Sequence, residues 1–187
     1  MDIGSLFPEI NEIKNVDLKN KVVKSLEKAI KQGGWNKQDL HKIPFTLLIP
    51  DLVNEDLTVK ISIIDHIRIV TQMCLATYEK YEMLGLGENL NRDELIAGGL
   101  LHDVGKFIEY ERDENGRIFQ TAEGKYLRHP AMGLELVHEF DLPIIVRQAI
   151  VFHSKEGDKI PRLKEVEIIH RCDFLCFAPI KQIFEEN

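Results

Sequence analysis

A mainly α-helical single domain carrying one small β-hairpin is predicted from three observations in this 187-residue sequence. Six segments repeat apolar residues at helical spacing, one Asn-Gly pair lies between short β-prone runs, and the length suits one hydrophobic core better than two. Hydrophobic residues at 44% and charged residues at 29% give a globular balance, with no apolar run near the roughly 20 residues of a membrane span. Residues 1–59 are expected to form an N-terminal helical extension packed on the core, and residues 60–187 one globular unit.

The first helix is expected over 17–32, where Val22, Val23, Leu26 and Ile30 keep helical spacing and Gly33-Gly34 supplies a stop. Pro44 and Pro50 break the text from Trp35 to Asp51, so a short helical piece followed by an extended connector is expected there. The longest helix should span 61–84, with Ile63, His66, Val70, Met73 and Thr77 on one inward stripe. Asn91 can cap a helix over 92–104 that carries Asp93 and Glu94 in its first turn and runs into His102. Asn115-Gly116, flanked by Ile108, Tyr110, Ile118 and Phe119, marks the hairpin. Three more helices are expected over 130–140, 143–153 and 163–177, two of them opened by Pro130 and Pro143.

Composition narrows the function classes. The 24 Lys+Arg against 31 Asp+Glu leave a net charge of −7, which disfavours nonspecific binding to nucleic acid or anionic membranes while permitting a locally positive pocket. The N-terminal MDIGSLFPEINEIKN lacks a basic segment followed by an apolar one, so cytoplasmic residence is the expectation. Cys74, Cys172 and Cys176 form neither a disulfide framework nor a zinc knuckle; Cys172 and Cys176, one turn apart, read as small core residues. Residues 1–59 carry no functional motif and are expected to cover the core or to make a homodimer contact.

The polar residues that resist an ordinary structural role are a set of histidines and acids. His41 and His138 read as solvent-facing or capping residues. Asp173 shares a helix face with Val166, Ile169, Cys176 and Phe177, so its carboxylate should point inward, where an unpartnered charge costs several kcal/mol, roughly. It needs an arginine, a helix N-terminus or a metal. Any one of His66, His102, His129 and His153 alone could be a core histidine with one hydrogen bond. The adjacent pair His102-Asp103, diverging by about 100° at a helix end, suits two metal ions, the imidazole on one and the carboxylate bridging to the next. Gly98 and Gly99, one turn before His102, leave room for a close helix neighbour such as that of His66. Lys106 reads either as a cation on the helix dipole or as one that holds an anionic substrate group.

In this order the residues resemble a known pattern. His66, the HDVGK of residues 102–106 and Asp173 are similar to the H…HD…D signature of the HD superfamily of metal-dependent phosphohydrolases. RHPAMG, with His129, resembles the H-P-x-x-G element of expanded HD domains, including the HD-GYP phosphodiesterases, and FHSKEGD, with His153, resembles the motif that follows it. Ser154 stands where a second histidine is common, and no G-Y-P follows. The stretch from HDVGK to FHSKEGD is also similar to the HD domain of bacterial 3′-to-5′ exoribonucleases. The resemblance covers roughly residues 60–178.

It implies a helical HD-domain bundle over 60–187 with two divalent transition metal ions held by His66, His102, Asp103, His129, His153 and Asp173, Asp103 bridging. Iron or manganese is the expected metal by family analogy, with zinc, cobalt and nickel also suited to such donors. The implied activity is hydrolysis of a phosphomonoester or phosphodiester of a small nucleotide-type substrate, with Asp103 and Lys106 as catalytic residues and Lys106, Arg128 and Lys155 meeting the substrate. Two alternatives share the ligands: a mixed-valent diiron oxygenase acting on a small anionic substrate, and a noncatalytic nucleotide-binding module.

Overall fold

The computed structural model describes residues 2–186. It is mainly helical, as the periodicity predicts, with a single two-stranded sheet. The N-terminal segment opens with α1 (Ile3–Leu6) and a 3-10 turn at Pro8–Glu12, neither of which the sequence pattern marked. Next, α2 (Val16–Gln32) is capped by the Asn15 side chain and ends at Gly33, with Gly34 in the left-handed region at φ +72. The proline-broken connector holds 3-10 turns at Leu40–Lys42 and Pro50–Leu52 and isolated bridges Pro44–Ser62 and Val53–Val59.

A Ser62/Asp65 capping box starts α3 (Ile63–Met83). Its buried face runs through Ile63, Ile67, Val70, Cys74 and Tyr78, with His66 on the same side. The expected stripe drifts off this face: Met73 and Thr77 are only half-buried, because 3.6 residues per turn places Cys74 and Tyr78 beneath Val70 instead. The central helix, α4 (Arg92–Leu101), is buried from Leu95 to Leu101 on every side, which is why its sequence shows little amphipathic pattern. It packs against α3 and against α7 (Ile144–Phe152).

The chain leaves α4 three residues earlier than expected, and His102–Gly105 form a turn before α5 (Lys106–Glu109). Ile108 therefore lies in α5 rather than in the hairpin of β1 (Tyr110–Arg112) and β2 (Ile118–Gln120), whose register pairs Tyr110 with Gln120. The connection is longer than a two-residue Asn-Gly turn: Asp113 Oδ1 accepts from the backbone N–H of both Asn115 and Arg117, and Gly116 takes φ +85.

Helix α6 (Ala122–Val137) begins eight residues before the expected start, but it is broken at Arg128 (φ 63, ψ 155). Pro130 thus opens the second half, in keeping with its place in the sequence pattern. Pro143 caps α7, and α8 (Lys164–Glu185) runs eight residues past its expected end, through Pro179. The N-terminal segment contributes Ile3, Phe7, Ile10, Leu26 and Trp35 to the same core as Ile63, Leu100, Phe107 and Ile150, and Trp35 Nε1 donates to the Phe107 carbonyl at 2.6 Å. No described helix is long and apolar enough to cross a membrane.

Candidate metal centre

Five elements deliver the six histidines and aspartates to one point. His66 comes from the first turn of α3, His102 and Asp103 from the end of α4, His129 from the break in α6, His153 from the end of α7 and Asp173 from the middle of α8. Glycines permit the approach. A Cβ on Gly99 would press on Thr71 of α3, 3.2 Å from its Cα, while one on Gly98 would lie 2.6 Å from Ile169 of α8 and 3.2 Å from Ala149 of α7. Gly99 therefore admits the helix of His66, and Gly98 those of Asp173 and His153. Gly105 is tighter still: a Cβ there would sit 2.0 Å from the His129 carbonyl oxygen, and a Cβ on Gly133 would in turn sit 3.1 Å from the Gly105 nitrogen. The glycines of HDVGK and RHPAMG thus cross backbone on backbone, which carries His129 to Asp103.

All four imidazoles turn Nε2 inward. Those of His66 and His102 are 3.4 Å apart, as are those of His129 and His153. Asp103 lies between the pairs: Oδ2 is 3.3 Å from His66 Nε2 and 3.4 Å from His102 Nε2, while Oδ1 is 3.3 Å from His129 Nε2 and 3.5 Å from His153 Nε2. Asp173 Oδ1 joins the first pair, 3.1 Å from His66 Nε2. Two groups have the donor spacing of a metal site, His66 with His102 and Asp103, and Asp103 with His129 and His153.

The outer nitrogens fix which atom faces inward. His102 Nδ1–H donates to the Gly99 carbonyl at 2.7 Å and His153 Nδ1–H to the Ala149 carbonyl at 2.9 Å, so each Nε2 presents a lone pair. Among the described residues, two buried side-chain N or O atoms lack a hydrogen bond, Asp103 Oδ1 and His129 Nδ1. A buried carboxylate oxygen left without a donor while the Nε2 atoms of His129 and His153 converge beside it is the arrangement a cation would complete, and the donor set fits one.

The charges around the centre act on one another. Burial would raise the Asp103 carboxyl, but the Lys106 ammonium, followed by His102, holds it well below the usual carboxylate range. Asp173, likewise opposed by burial, is held low by its hydrogen bond to His66. Burial would depress His66, yet Asp103 and Asp173 lift it well above the ordinary imidazole value. His153 is raised by Asp103 against its own burial, whereas in His129 burial prevails and the value falls.

Lys106 is not on the C-terminus of α4 but begins α5, and Nζ donates to Asp103 Oδ2 and to the Phe45 carbonyl, both at 2.7 Å. Two of its three N–H donors are thereby committed. Burial would lower its pKa, but Asp103 raises it. Arg128 and Lys155 reach the rim of the same cavity, whose volume is about 610 Å³. Arg128 is half exposed, with Nε 3.5 Å from Glu109 Oε1, and its φ/ψ lies in a region almost reserved for glycine, a strain of about 1–3 kcal/mol beside His129. Lys155 is exposed on a 3-10 turn just after His153.

The sequence pattern missed several residues here. The Phe45 ring stacks on His66 at 4.7 Å and, with Phe174 and Phe177, gives the cavity an apolar wall. Glu109 Oε2 lies 3.2 Å from His129 Nδ1. His170 is buried, and its Nδ1–H donates to the His153 carbonyl at 2.5 Å. None stands in a motif; helical phase could have placed His170 inward, whereas Glu109 lies in a short helix that the sequence pattern did not mark.

Comparison with known proteins gives the family. The family model described as HD domain matches residues 63–177. The chain is 30% identical over 112 residues to dihydroneopterin 2′,3′-cyclic phosphate phosphodiesterase of Methanocaldococcus jannaschii, covering 59% of this chain and 44% of that protein. It is 33% identical over 105 residues to the 3′-5′ exoribonuclease YhaM of a Geobacillus species, covering 50% of this chain and 32% of that protein. The YhaM of a Listeria monocytogenes strain matches at 28% over 99 residues, 46% of this chain and 31% of that protein. The chain thus spans less than half the length of these curated relatives. No solved structure matches. With its family model matched across more than half of the sequence, from the first turn of α3 to the middle of α8, the chain belongs to the HD domain family.

Proposed function

We propose that the chain is a phosphohydrolase that cleaves a phosphomonoester or phosphodiester of a small, nucleotide-type substrate in the cytoplasm, at a dinuclear centre of transition metal ions. The observation that carries the reading is that two imidazole pairs face separate oxygens of the single Asp103 carboxylate. His66, His102, Asp103 and Asp173 would hold one cation, and Asp103, His129 and His153 the other. Mixed imidazole and carboxylate donors suit iron, manganese, cobalt, nickel or zinc better than calcium or magnesium, and family analogy favours iron or manganese. Cations so held supply Lewis acidity, acidifying water and drawing charge from a phosphoryl oxygen.

The chain's own groups do the rest. Lys106 holds Asp103 in place between the two imidazole pairs and keeps positive charge where a phosphoryl oxygen would develop negative charge. Arg128 and Lys155 at the rim attract the anionic group, and the wall of Phe45, Phe174 and Phe177 offers a face for a planar ring. A cavity of about 610 Å³ is the size of a ligand pocket rather than a polymer groove. The relatives named as a cyclic phosphate phosphodiesterase and an exoribonuclease support phosphate-ester chemistry at such a site.

Elemental analysis of purified protein, followed by a panel of phosphomonoesters and phosphodiesters with Mn, Fe, Co, Ni and Zn, tests the proposal. Two bound ions and metal-dependent phosphate release are expected. Turnover that requires O₂, with no phosphate-ester cleavage, would replace it with the diiron oxygenase reading.

A further inference from the structure

The four inward imidazoles differ in what stands behind them. His102 and His153 are held by neutral backbone carbonyls, and His66 Nδ1 lies 3.5 Å from the neutral Cys176 thiol. Behind His129 Nδ1, which has no hydrogen bond in place, stands a carboxylate, Glu109 Oε2, at 3.2 Å. The two halves of the centre also differ in their direct donors. Asp103 and Asp173 both face His66 and His102, whereas Asp103 alone faces His129 and His153.

Glu109 is held for this position from three sides. It is 2% exposed at the end of α5, and its other oxygen, Oε1, accepts from Gln120 Nε2 at 2.8 Å. Gln120 is the last residue of β2 and donates also to the Gly124 carbonyl at 3.1 Å. The Glu109 carbonyl accepts from Thr121 N–H at 2.8 Å. A Cβ on Gly124 would lie 2.8 Å from Glu109 Cγ, so the first turn of α6 packs directly on the side chain.

We propose that Glu109 is a positioning residue for the second cation: it accepts the His129 Nδ1–H, keeps the Nε2 lone pair inward, and lends negative charge to the half of the centre with only one carboxylate. The hairpin is then the arm that holds Glu109 through Gln120. This rests on the dinuclear reading proposed above. A carboxylate behind a ligand histidine makes the imidazole a stronger donor, and removing such a partner typically costs about 10–100-fold in metal affinity.

Titration of the chelator-stripped protein with Mn²⁺ alone, followed by calorimetry, tests this. Wild type should take up two ions, and Glu109→Gln should weaken one of them by about 10–100-fold while the other keeps its affinity. A merely structural role for Glu109 would instead weaken both ions alike and lower the melting temperature of the stripped protein, and that result would overturn the proposal. If Glu109→Gln does not fold, Gln120→Ala leaves the carboxylate in place and should weaken the same single ion to a smaller degree; no change there would equally overturn it. Fewer than two ions on wild type would overturn the dinuclear reading and this inference with it. Two ions on wild type with both affinities unchanged in Glu109→Gln would overturn the inference alone.

Discussion

Residues 95–101 and the turn that follows them are equally buried and chemically opposite. Leu95, Ile96, Leu100 and Leu101 are wholly buried in a helix that packs on α2, α3, α7 and α8, and the adjoining His102 and Asp103 are buried as completely. In the helix, burial is favourable in itself, at about 25 cal/mol per Å² of apolar surface. In the turn, each buried polar group is there at a cost: Asp103 Oδ2 meets Lys106 and His102 Nδ1 meets the Gly99 carbonyl, while Asp103 Oδ1 has no hydrogen bond. Equal burial thus marks two different jobs. Helix α4 sets the distance between its neighbours, and the turn uses the space they enclose.

Substitutions on either side of Leu101 should therefore fail in different ways. The largest effect is expected from Asp103→Asn, which keeps an acceptor for Lys106 but removes the charge facing both imidazole pairs. Removing one electrostatic contact at a reacting centre costs about 10²–10³ in rate, and because Asp103 faces both halves the loss in phosphate-ester turnover should reach or exceed that range. Bound metal should fall while circular dichroism stays unchanged; retained metal and activity would break the distinction drawn here. Leu100→Ala should do the reverse, costing about 2–5 kcal/mol of stability in denaturant titration with metal stoichiometry intact.

Gly105→Ala tests the boundary between the two regions. Its Cβ would collide with the His129 carbonyl, so backbone must shift. A loss of about 1–3 kcal/mol is expected, together with weakened binding of one ion, because His129 moves with that carbonyl. Loss of stability with both ions unaffected would show that the crossing serves packing alone.

The smallest effect is a pH dependence of the metal-free protein. His66 is raised above its unfolded value, so its contribution is fully present below about 6.5 and is lost as pH rises through the folded value. Asp103 and Asp173 are depressed, so theirs is present above about 3.9 and is lost as pH falls through their folded values. Melting temperature of chelated protein should decline from pH 6.5 upward, and saturating Mn²⁺ should reverse the slope because ions and protons compete for the same imidazoles. A flat profile that is unchanged in His66→Gln would refute this assignment.

Much of the architecture was legible because it is written at short range. Periodicity marked α2, α3, α7 and α8, Asn91 caps α4 as its place in the sequence predicts, and Asn115-Gly116 marks the hairpin. Ends were less legible: α4 stops at Leu101 although no proline or glycine lies between Leu101 and Gly105, where the backbone of α6 packs against that glycine. Pro130 marks where the second half of α6 begins, but the left-handed backbone at Arg128 is not signalled by its residue type, because arginine does not favour that conformation.

For the site, residue types and order along the chain were enough to single out His66, His102, Asp103, His129, His153 and Asp173, because motif residues are few and chemically distinctive. Their partners were not legible. Phe45 lies 21 residues before His66, and Glu109 lies 20 before His129, with nothing in either neighbourhood to link them. Helical spacing states which side of a helix a residue takes, and a sequence can carry that much unaided. Which oxygen of Asp103 faces which imidazoles, that Lys106 turns back to Asp103, and that a carboxylate stands behind one histidine alone depend on how five elements cross. Those crossings follow from side-chain volumes and glycine contacts summed over the whole core, a long-range property that no local stretch of sequence contains.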